Sequence, residues 1–302
     1  MSQTRFMNRQ SLYLRPDPAR VVVRPFKPAT EPRDLNPTDK VRANHIVGRV
    51  LRLDAEAAAQ QLSDVLENFE GRHRNLLDIF EARAAEMEDA FEPHAELNKT
   101  QRRLIGAYFL NEYSFEASAL FNPSIVRHPD QSGSPENGCR FILSLRAVGE
   151  GHISSLTFRS GTIAADGSVT VDSTARLAAI PKLRSRTPTS NGDDVEVIFR
   201  DDEELSERVI FPVTDAQSNG IEDARFVEFN DDARKTFYAT YTAYSGRAIR
   251  SELLETTDFR TFRMTPLGGS AARNKGMALF PRKIDGRYAM IGRQDNENLY
   301  LI

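Results

Sequence analysis

The spacing of apolar positions changes once along the chain, from a helical period to a strand period. Between Asp54 and Phe115 apolar residues recur about every 3.6 positions, as in amphipathic helices. Asp54 is placed to cap the first helix, Gly71 separates it from the second, and a third begins near Asn98. Their apolar stripes comprise Leu62, Val65, Leu66 and Phe69, then Leu76, Leu77, Phe80 and Met87, and finally Leu104, Ile105, Tyr108 and Phe109. The pattern predicts a helical layer whose stripes form a core rather than a cofactor site.

After Phe115 the pattern is typical of short antiparallel strands. The predicted strands are "CRFILSLRAV", "HISSLTFRSG", "ARFVEFND", "TFYATYTAY", "MALFPRKIDG" and "RYAMIGRQ". The intervening "AADGS", "FNDDARK" and "KIDGRY" have Gly or Asp at positions where a hairpin turn needs a positive φ. This succession predicts a sandwich, a barrel or a propeller.

An internal repeat favours the propeller. Three segments share one layout of a polar residue, an apolar strand, a tight turn and two further strands. Their opening residues are Asn122 in the first, Glu222 and Asp223 in the second, and Lys275 in the third. Because the innermost strand of each blade lines a common channel, we expect these polar side chains to converge on one ligand. A ring needs about four blades to close, so we expect the chain, which stops at Ile302, to be part of a longer protein.

Charge and proline content single out the N-terminal region. The chain has 302 residues and a net charge of −3, but residues 1–52 contain eleven Lys or Arg and four Asp or Glu. We therefore expect an extended, basic, Pro-rich arm over residues 1–53, a helical region over 54–114 and a partial propeller carrying the catalytic site over 115–302. Within the last region, residues 176–218 resemble an insertion that caps the cleft or mediates assembly.

Composition argues against several classes of site. The single Cys139 excludes an internal disulfide, and the five His are too scattered to predict a metal site. The sequence has no run of about 20 apolar residues and no signal-peptide core, so we expect a cytoplasmic protein without membrane contact. A basic arm is compatible with nucleic-acid binding, but the strands lack the interleaving of aromatic and basic residues that base stacking uses, so no nucleic-acid partner is expected.

The ordered motifs resemble those of a known family. "FNPSIV", "LRAVGEGHISS", "GIEDARFV", "YATYTAYSG" and "NKGMALFPRKIDGRYAMIGRQ" are similar, in this order, to the blade motifs of glycoside hydrolase family 130. The resemblance covers roughly residues 115–302, and the helical region resembles the extension of a longer subgroup. It implies a mainly β, five-bladed propeller, of which about three blades are present here. It also implies inversion at a β-mannoside, with inorganic phosphate as co-substrate and no other cofactor.

The resemblance assigns the general acid to Asp223. The family motif Glu-Asp-Pro-Arg corresponds to Glu222, Asp223, Ala224 and Arg225, with Ala224 departing from the family's Pro. Taken alone, an Asp where a strand begins is more often a turn or cap residue. Because adjacent strand residues point to opposite faces, we expect Glu222 to hold a sugar hydroxyl or to brace Arg225.

Other site residues follow from the same resemblance. Lys275 and Arg293 correspond to phosphate-binding positions, whereas Asn122 and Arg146 correspond to residues that grip the mannosyl ring. The alternatives are a solvated Lys275, an Arg293 paired with an acid, a turn Asn122 and a surface Arg146.

Tyr241 and Tyr244 of the strand "TFYATYTAY" lie three positions apart, so their side chains point to opposite faces. We expect one to lie in the core and the other, assigned to Tyr244, to line the cleft.

The leading interpretation is an inverting β-mannoside phosphorylase acting on a manno-oligosaccharide and phosphate. An inverting β-mannosidase of the same architecture is the nearest alternative, because hydrolytic members replace the phosphate-binding cations with carboxylates. An inactive, truncated sugar-binding or interaction module is a third. The sequence leaves open the linkage, the acceptor sugar and homo-oligomerisation.

Overall fold

A computed structural model describes residues 10–26, 42–87, 97–231, 234–295 and 297–302. The chain divides into two compact units. One comprises Val21–Tyr113, and the other combines Met1–Arg20 with Ser114–Ile302. Within the described ranges, no helix combines the length and the apolar character needed to span a bilayer.

The first unit is mainly helical. It contains α1 (Arg42–Leu51), α2 (Ala55–Phe69), α3 (Leu76–Glu86) and α4 (Lys99–Tyr108), and β1 (Val21–Pro25) pairs with β2 (Leu110–Ser114). Asp54 caps α2 by accepting a hydrogen bond from the Ala57 backbone N–H at 2.8 Å. Asn98 and Gln101 form a reciprocal capping box at the start of α4. The first and third predicted helices therefore begin at the residues that the sequence indicated.

Helix α1 was not predicted, since it lies in the segment expected to be an extended arm. Its apolar residues Ala43, Val47 and Val50 recur at helical spacing and are buried. They form a core cluster with Leu104, Ile105 and Phe109 from α4 and its end. The Pro residues that suggested an extended arm precede α1, and those at 28, 32 and 37 lie outside the described residues.

The second unit is mainly β. Its strands are β3 (Ala119–Arg127), β4 (Cys139–Val148), β5 (Ser154–Ile163), β6 (Val169–Val171), β7 (Lys182–Thr189), β8 (Gly192–Ile198), β9 (Val209–Ile210), β10 (Gly220–Asp231), β11 (Arg234–Tyr244), β12 (Ile249–Thr256), β13 (Thr261–Pro266), β14 (Ala278–Leu279), β15 (Met290–Gly292) and β16 (Tyr300–Leu301). The three repeated segments correspond to three antiparallel runs, β3-β4-β5, β10-β11-β12 and β14-β15-β16. The first two runs belong to one sheet. They are joined by the parallel pairing of β5 with β10 at Ser154 and Gly220.

The core of this unit is aromatic. Phe158 stacks on Phe262 with ring centroids 5.8 Å apart, and Phe259 contacts both rings edge to face. All three side chains are almost fully buried, and burying each contributes about 1.5–3 kcal/mol. This core fixes the sheet whose strand ends carry the polar residues described below.

Residues 176–218, which the sequence suggested to be an insertion, contribute strands to the sheet. Strand β8 pairs with β13 and buries Val195 and Val197 in the core, with β7 along its outer side. Strand β9 pairs with β5 through Leu156 and Ile210. The surrounding charged residues concealed these short apolar runs in the sequence.

Part of the N-terminal arm is anchored in the second unit by a buried ionic cluster. Arg20 donates to Glu116 Oε1 at 2.8 Å, and Arg159 donates to Glu116 Oε2 at 3.1 Å. The Glu116 side chain is 0% exposed. Two cations therefore satisfy both oxygens of a carboxylate that would be costly to bury alone.

Candidate active site

Two strands are interrupted by a bulge at equivalent points. The pairing of β3 with β4 shifts between Phe121 and Ser124, and the pairing of β10 with β11 shifts between Glu222 and Arg225. Within these shifts, Asn122 and Asp223 have φ values of 51° and 54°. Asn and Asp are the residues other than Gly that best tolerate this left-handed region. A bulge re-aims side chains that a regular strand would point elsewhere.

The bulges bring Asn122 and Asp223 into contact. Asn122 Nδ2 donates a hydrogen bond to Asp223 Oδ1. Arg146 of β4 donates to the same oxygen through Nη1 at 3.1 Å, and to Glu222 Oε1 through Nη2 at 2.7 Å. One guanidinium therefore holds the two adjacent carboxylates.

The expectation that Glu222 and Asp223 point to opposite faces is wrong. The alternation applies to a regular strand, whereas here a bulge and a positive φ turn both carboxylates towards Arg146. Glu222 also binds Arg146 instead of bracing Arg225.

Arg146 is held on other sides as well. Its Nε donates to Ser154 Oγ at 2.9 Å, and its guanidinium carbon lies 5.0 Å from the centre of the Phe121 ring. Sequence reasoning missed Ser154 and Phe121, because a Ser in an apolar strand and a Phe beside a turn carry no distinctive signal. Their significance depends on the position of Arg146.

Lys275 approaches the same cluster from the third strand run. Its Nζ lies 3.9 Å from Glu222 Oε2. The segment around Lys275 is tethered by two hydrogen bonds from the second run, from Thr240 Oγ1 to the Met277 carbonyl and from Ser251 Oγ to the Asn274 carbonyl. Arg293 Nε donates to the Lys275 carbonyl at 3.4 Å. Arg293 therefore contacts the backbone of Lys275, and the Lys275 ammonium group approaches Glu222.

The remaining predicted residues, Arg225 and Tyr244, have no hydrogen bond or ion pair to Arg146 among the described residues. Arg225 is exposed and lies opposite Thr240 on β11. Tyr244 lies opposite Gly220 and donates to the Gly246 carbonyl at 3.2 Å. It shares a face of β11 with Thr242, the partner of Glu222.

Tyr241 is the core member of the tyrosine pair. Its hydroxyl donates to Glu252 Oε2, and the side chain is 3% exposed. Burial, followed by the charge of Glu252, raises the pKa of Tyr241 well above its ordinary value. Tyr241 therefore stays a neutral structural residue.

The cluster is accessible to solvent on one side. The side chains of Glu222 and Arg146 are 11% and 17% exposed, whereas Asp223 is 28% and Lys275 is 42% exposed. Asp223 thus combines a fixed orientation with access to a ligand, and Lys275 presents an ammonium group beside the neighbouring Glu222. A carboxyl group and an adjacent cationic edge can transfer a proton and bind an anion.

Comparisons with known proteins find similarity over part of the chain. Residues 196–302 match the model of glycoside hydrolase family 130, described as beta-1,4-mannooligosaccharide phosphorylase. The chain is 31% identical over 86 residues to a beta-1,2-mannobiose phosphorylase of Listeria innocua serovar 6a, a match covering 28% of this chain and 22% of that relative.

A solved structure of beta-1,2-mannobiose phosphorylase from Listeria innocua with beta-1,2-mannobiose is also similar, at 16% identity and a TM-score of 0.31. That match covers 61% of this chain and 54% of the solved chain. The chain thus matches 22% of the length of the curated relative and about half of the solved chain. The similarity to glycoside hydrolase family 130 is thus found over residues 196–302, where the family model matches.

Proposed function

We propose that the chain carries the catalytic site of an inverting β-mannoside phosphorylase, with Asp223 as the general acid. The observation that carries this proposal is the bulge at Asp223, whose carboxylate accepts hydrogen bonds from Asn122 and Arg146, while Lys275 approaches the adjacent Glu222. The family's Glu-Asp-Pro-Arg motif falls on this bulge. In the family, the three strand runs would be blades of a five-bladed propeller, with the opening residues of each blade at the central channel.

The reaction joins phosphate to mannose while the β-mannosidic bond breaks. A phosphate oxygen attacks the anomeric carbon from the face opposite the leaving group, and the leaving oxygen takes the bonding electron pair. Asp223 supplies the proton that this oxygen needs, through a sugar hydroxyl if the family mechanism applies. The products are α-mannose 1-phosphate and a sugar shortened by one unit. General acid catalysis of this kind contributes about 10²- to 10⁴-fold to the rate.

Lys275 and Arg293 are the proposed phosphate ligands. Lys275 Nζ lies near Glu222, and Arg293 Nε donates a hydrogen bond to the Lys275 carbonyl, which supports a shared role for the two cations. Cations fixed in this way attract the phosphate dianion and stabilise charge as the new bond forms. Tyr244, on the same face of β11 as the partner of Glu222, and the exposed Arg225 are proposed to contact the sugar beyond Asp223.

Glu222 bears on the choice between phosphorolysis and hydrolysis. A hydrolase needs a carboxylate free to activate water. Glu222 instead contacts Arg146 at 2.7 Å and Lys275 at 3.9 Å. Its engagement with two cations favours the phosphorylase over the inverting β-mannosidase.

The test is to incubate the chain with β-1,2- and β-1,4-mannobiose, with and without phosphate, while following mannose 1-phosphate and free mannose. Asp223→Asn removes the acidic proton but keeps a side chain that tolerates a positive φ. Asp285→Asn is the matched control, because Asp285 also has a positive φ of 49° and is exposed.

Phosphate-dependent mannose 1-phosphate that is lost in Asp223→Asn and kept in Asp285→Asn would support the proposal. Free mannose formed without phosphate would identify a hydrolase. Binding of mannobiose without either product would indicate a sugar-binding module. The absence of both binding and turnover would contradict all three interpretations for this chain.

A further inference from the structure

Ser154 lies where the first two strand runs join. It pairs with Gly220 in the parallel bridge between β5 and β10, and it is 0% exposed. Gly220 has a φ of 146°, and a Cβ added there would lie 2.8 Å from Ser154 Cβ. The close approach of the two backbones requires glycine at position 220 and fixes the place of Ser154.

The Ser154 hydroxyl is directed at the base of the Arg146 guanidinium. Its Oγ accepts a hydrogen bond from Arg146 Nε at 2.9 Å. Nε is the nitrogen that joins the planar guanidinium to the aliphatic chain, so fixing it restricts rotation of the whole plane. The two terminal nitrogens are then aimed at Asp223 and Glu222.

Arg146 links Ser154 to the proposed reaction. Its Nη1 shares the Asp223 Oδ1 atom with Asn122, so a rotation of the guanidinium would disturb the carboxyl group that transfers the proton. Lys275 and Arg293 have no hydrogen bond to Ser154, so the phosphate-binding edge would keep its own supports.

We propose that Ser154 is a positioning residue, which acts through Arg146 to hold the Asp223 and Glu222 carboxylates in their working orientation. This inference rests on the proposed function for its effect on catalysis. A displacement of about 1 Å in an active site can cost on the order of 100-fold in rate. The loss of the Ser154 hydroxyl is therefore expected to lower kcat more than it changes the apparent KM for phosphate.

The chain provides a matched control at the next residue. Ser155 is also 0% exposed, and its Oγ has no hydrogen-bond partner among the described residues. Ser155→Ala removes the same group at the same depth, without affecting the contact to Arg146. We expect Ser154→Ala to lower kcat by about 10-fold or more and Ser155→Ala to keep it near wild type, with similar melting temperatures for both variants.

A spectroscopic measurement tests the contact independently of activity. The Arg146 Nε–H signal in a proton–nitrogen correlation spectrum of the full chain would be assigned by its disappearance in Arg146→Lys. We expect its exchange with solvent to accelerate about 10-fold or more in Ser154→Ala, because a buried hydrogen bond protects the proton. Ser155→Ala should leave it unchanged.

An exchange rate that is unaffected by Ser154→Ala would overturn the positioning role. An accelerated exchange with an unchanged kcat would also overturn it, since Arg146 would then be mobile without consequence. If the wild-type chain produces no mannose 1-phosphate, the proposed function fails, and the Nε–H signal alone decides whether Ser154 positions Arg146.

Discussion

Asn122 and Asp223 lie 101 residues apart in the sequence, yet the amide of one donates a hydrogen bond to the carboxylate of the other. Both residues occupy a bulge at the start of a strand run, with φ values of 51° and 54°. The two repeated segments contain the same bulge with a positive φ, and these two bulges point the side chains of Asn122 and Asp223 at each other. The contact depends equally on backbone conformation and on side-chain chemistry.

Two substitutions of Asn122 separate these contributions. Asn122→Gly and Asn122→Ala both remove the donor to Asp223, so turnover of mannobiose should fall by about 10-fold or more in both. Only Ala is strained at a positive φ, so Asn122→Ala should have a free energy of unfolding about 1 kcal/mol lower than Asn122→Gly. Steady-state kinetics and denaturant unfolding measure the two effects. Full activity in both variants would show that the amide has no role in orienting Asp223.

Removal of the Lys275 charge should weaken phosphate binding. Lys275→Gln is expected to raise the apparent KM for phosphate by about 10-fold or more, because a charge-assisted contact to a dianion is lost. Lys182→Gln removes the same charge from the exposed strand β7 and should have little effect. An equal response to both substitutions would indicate only a general electrostatic attraction.

The buried cluster around Glu116 should contribute strongly to stability. Glu116→Gln leaves Arg20 and Arg159 buried without a carboxylate, and this should lower the free energy of unfolding by about 3–5 kcal/mol. The control is Arg184→Gln, which breaks a surface ion pair with Glu196; the Arg184 side chain is 60% exposed. This substitution should lower the free energy of unfolding by about 0–1 kcal/mol. Urea titration compares the two variants. Similar small losses would show that the cluster is solvated in the folded protein.

Two glycines in helices should respond oppositely to the same substitution. A Cβ at Gly106 of α4 would lie 1.8 Å from the Phe80 carbonyl oxygen, whereas at Gly48 of α1 the nearest atom is the flexible Arg52 Nη1 at 3.6 Å. Gly48→Ala should therefore stabilise the protein by about 0.5–1 kcal/mol through helix propensity, and Gly106→Ala should destabilise it by forcing α3 and α4 apart. Thermal denaturation measures both changes. Stabilisation by both would contradict the close packing of α3 against α4.

The amino-acid sequence alone indicates the local features of the fold. Helical and strand periods, the caps at Asp54 and Asn98, and the Asp-Gly turn at residues 285–286 depend on neighbouring residues, so they could be predicted. The order of the motifs also indicated the family and the candidate residues Asp223 and Lys275. These signals require no knowledge of which strands pair.

The contacts among the candidate residues depend on the three-dimensional fold. The bulge at Asp223 turns Glu222 to the same side, and Ser154 gains its place because β5 meets β10 at Gly220. Helix α1 and strand β8 became recognisable only through the cores in which they are buried. Pairings between distant segments produce the register shifts, the burial of these residues and the hydrogen bonds from Arg146 to two carboxylates. The free energy of such pairings depends on the partner's position, which a local pattern of residues does not encode.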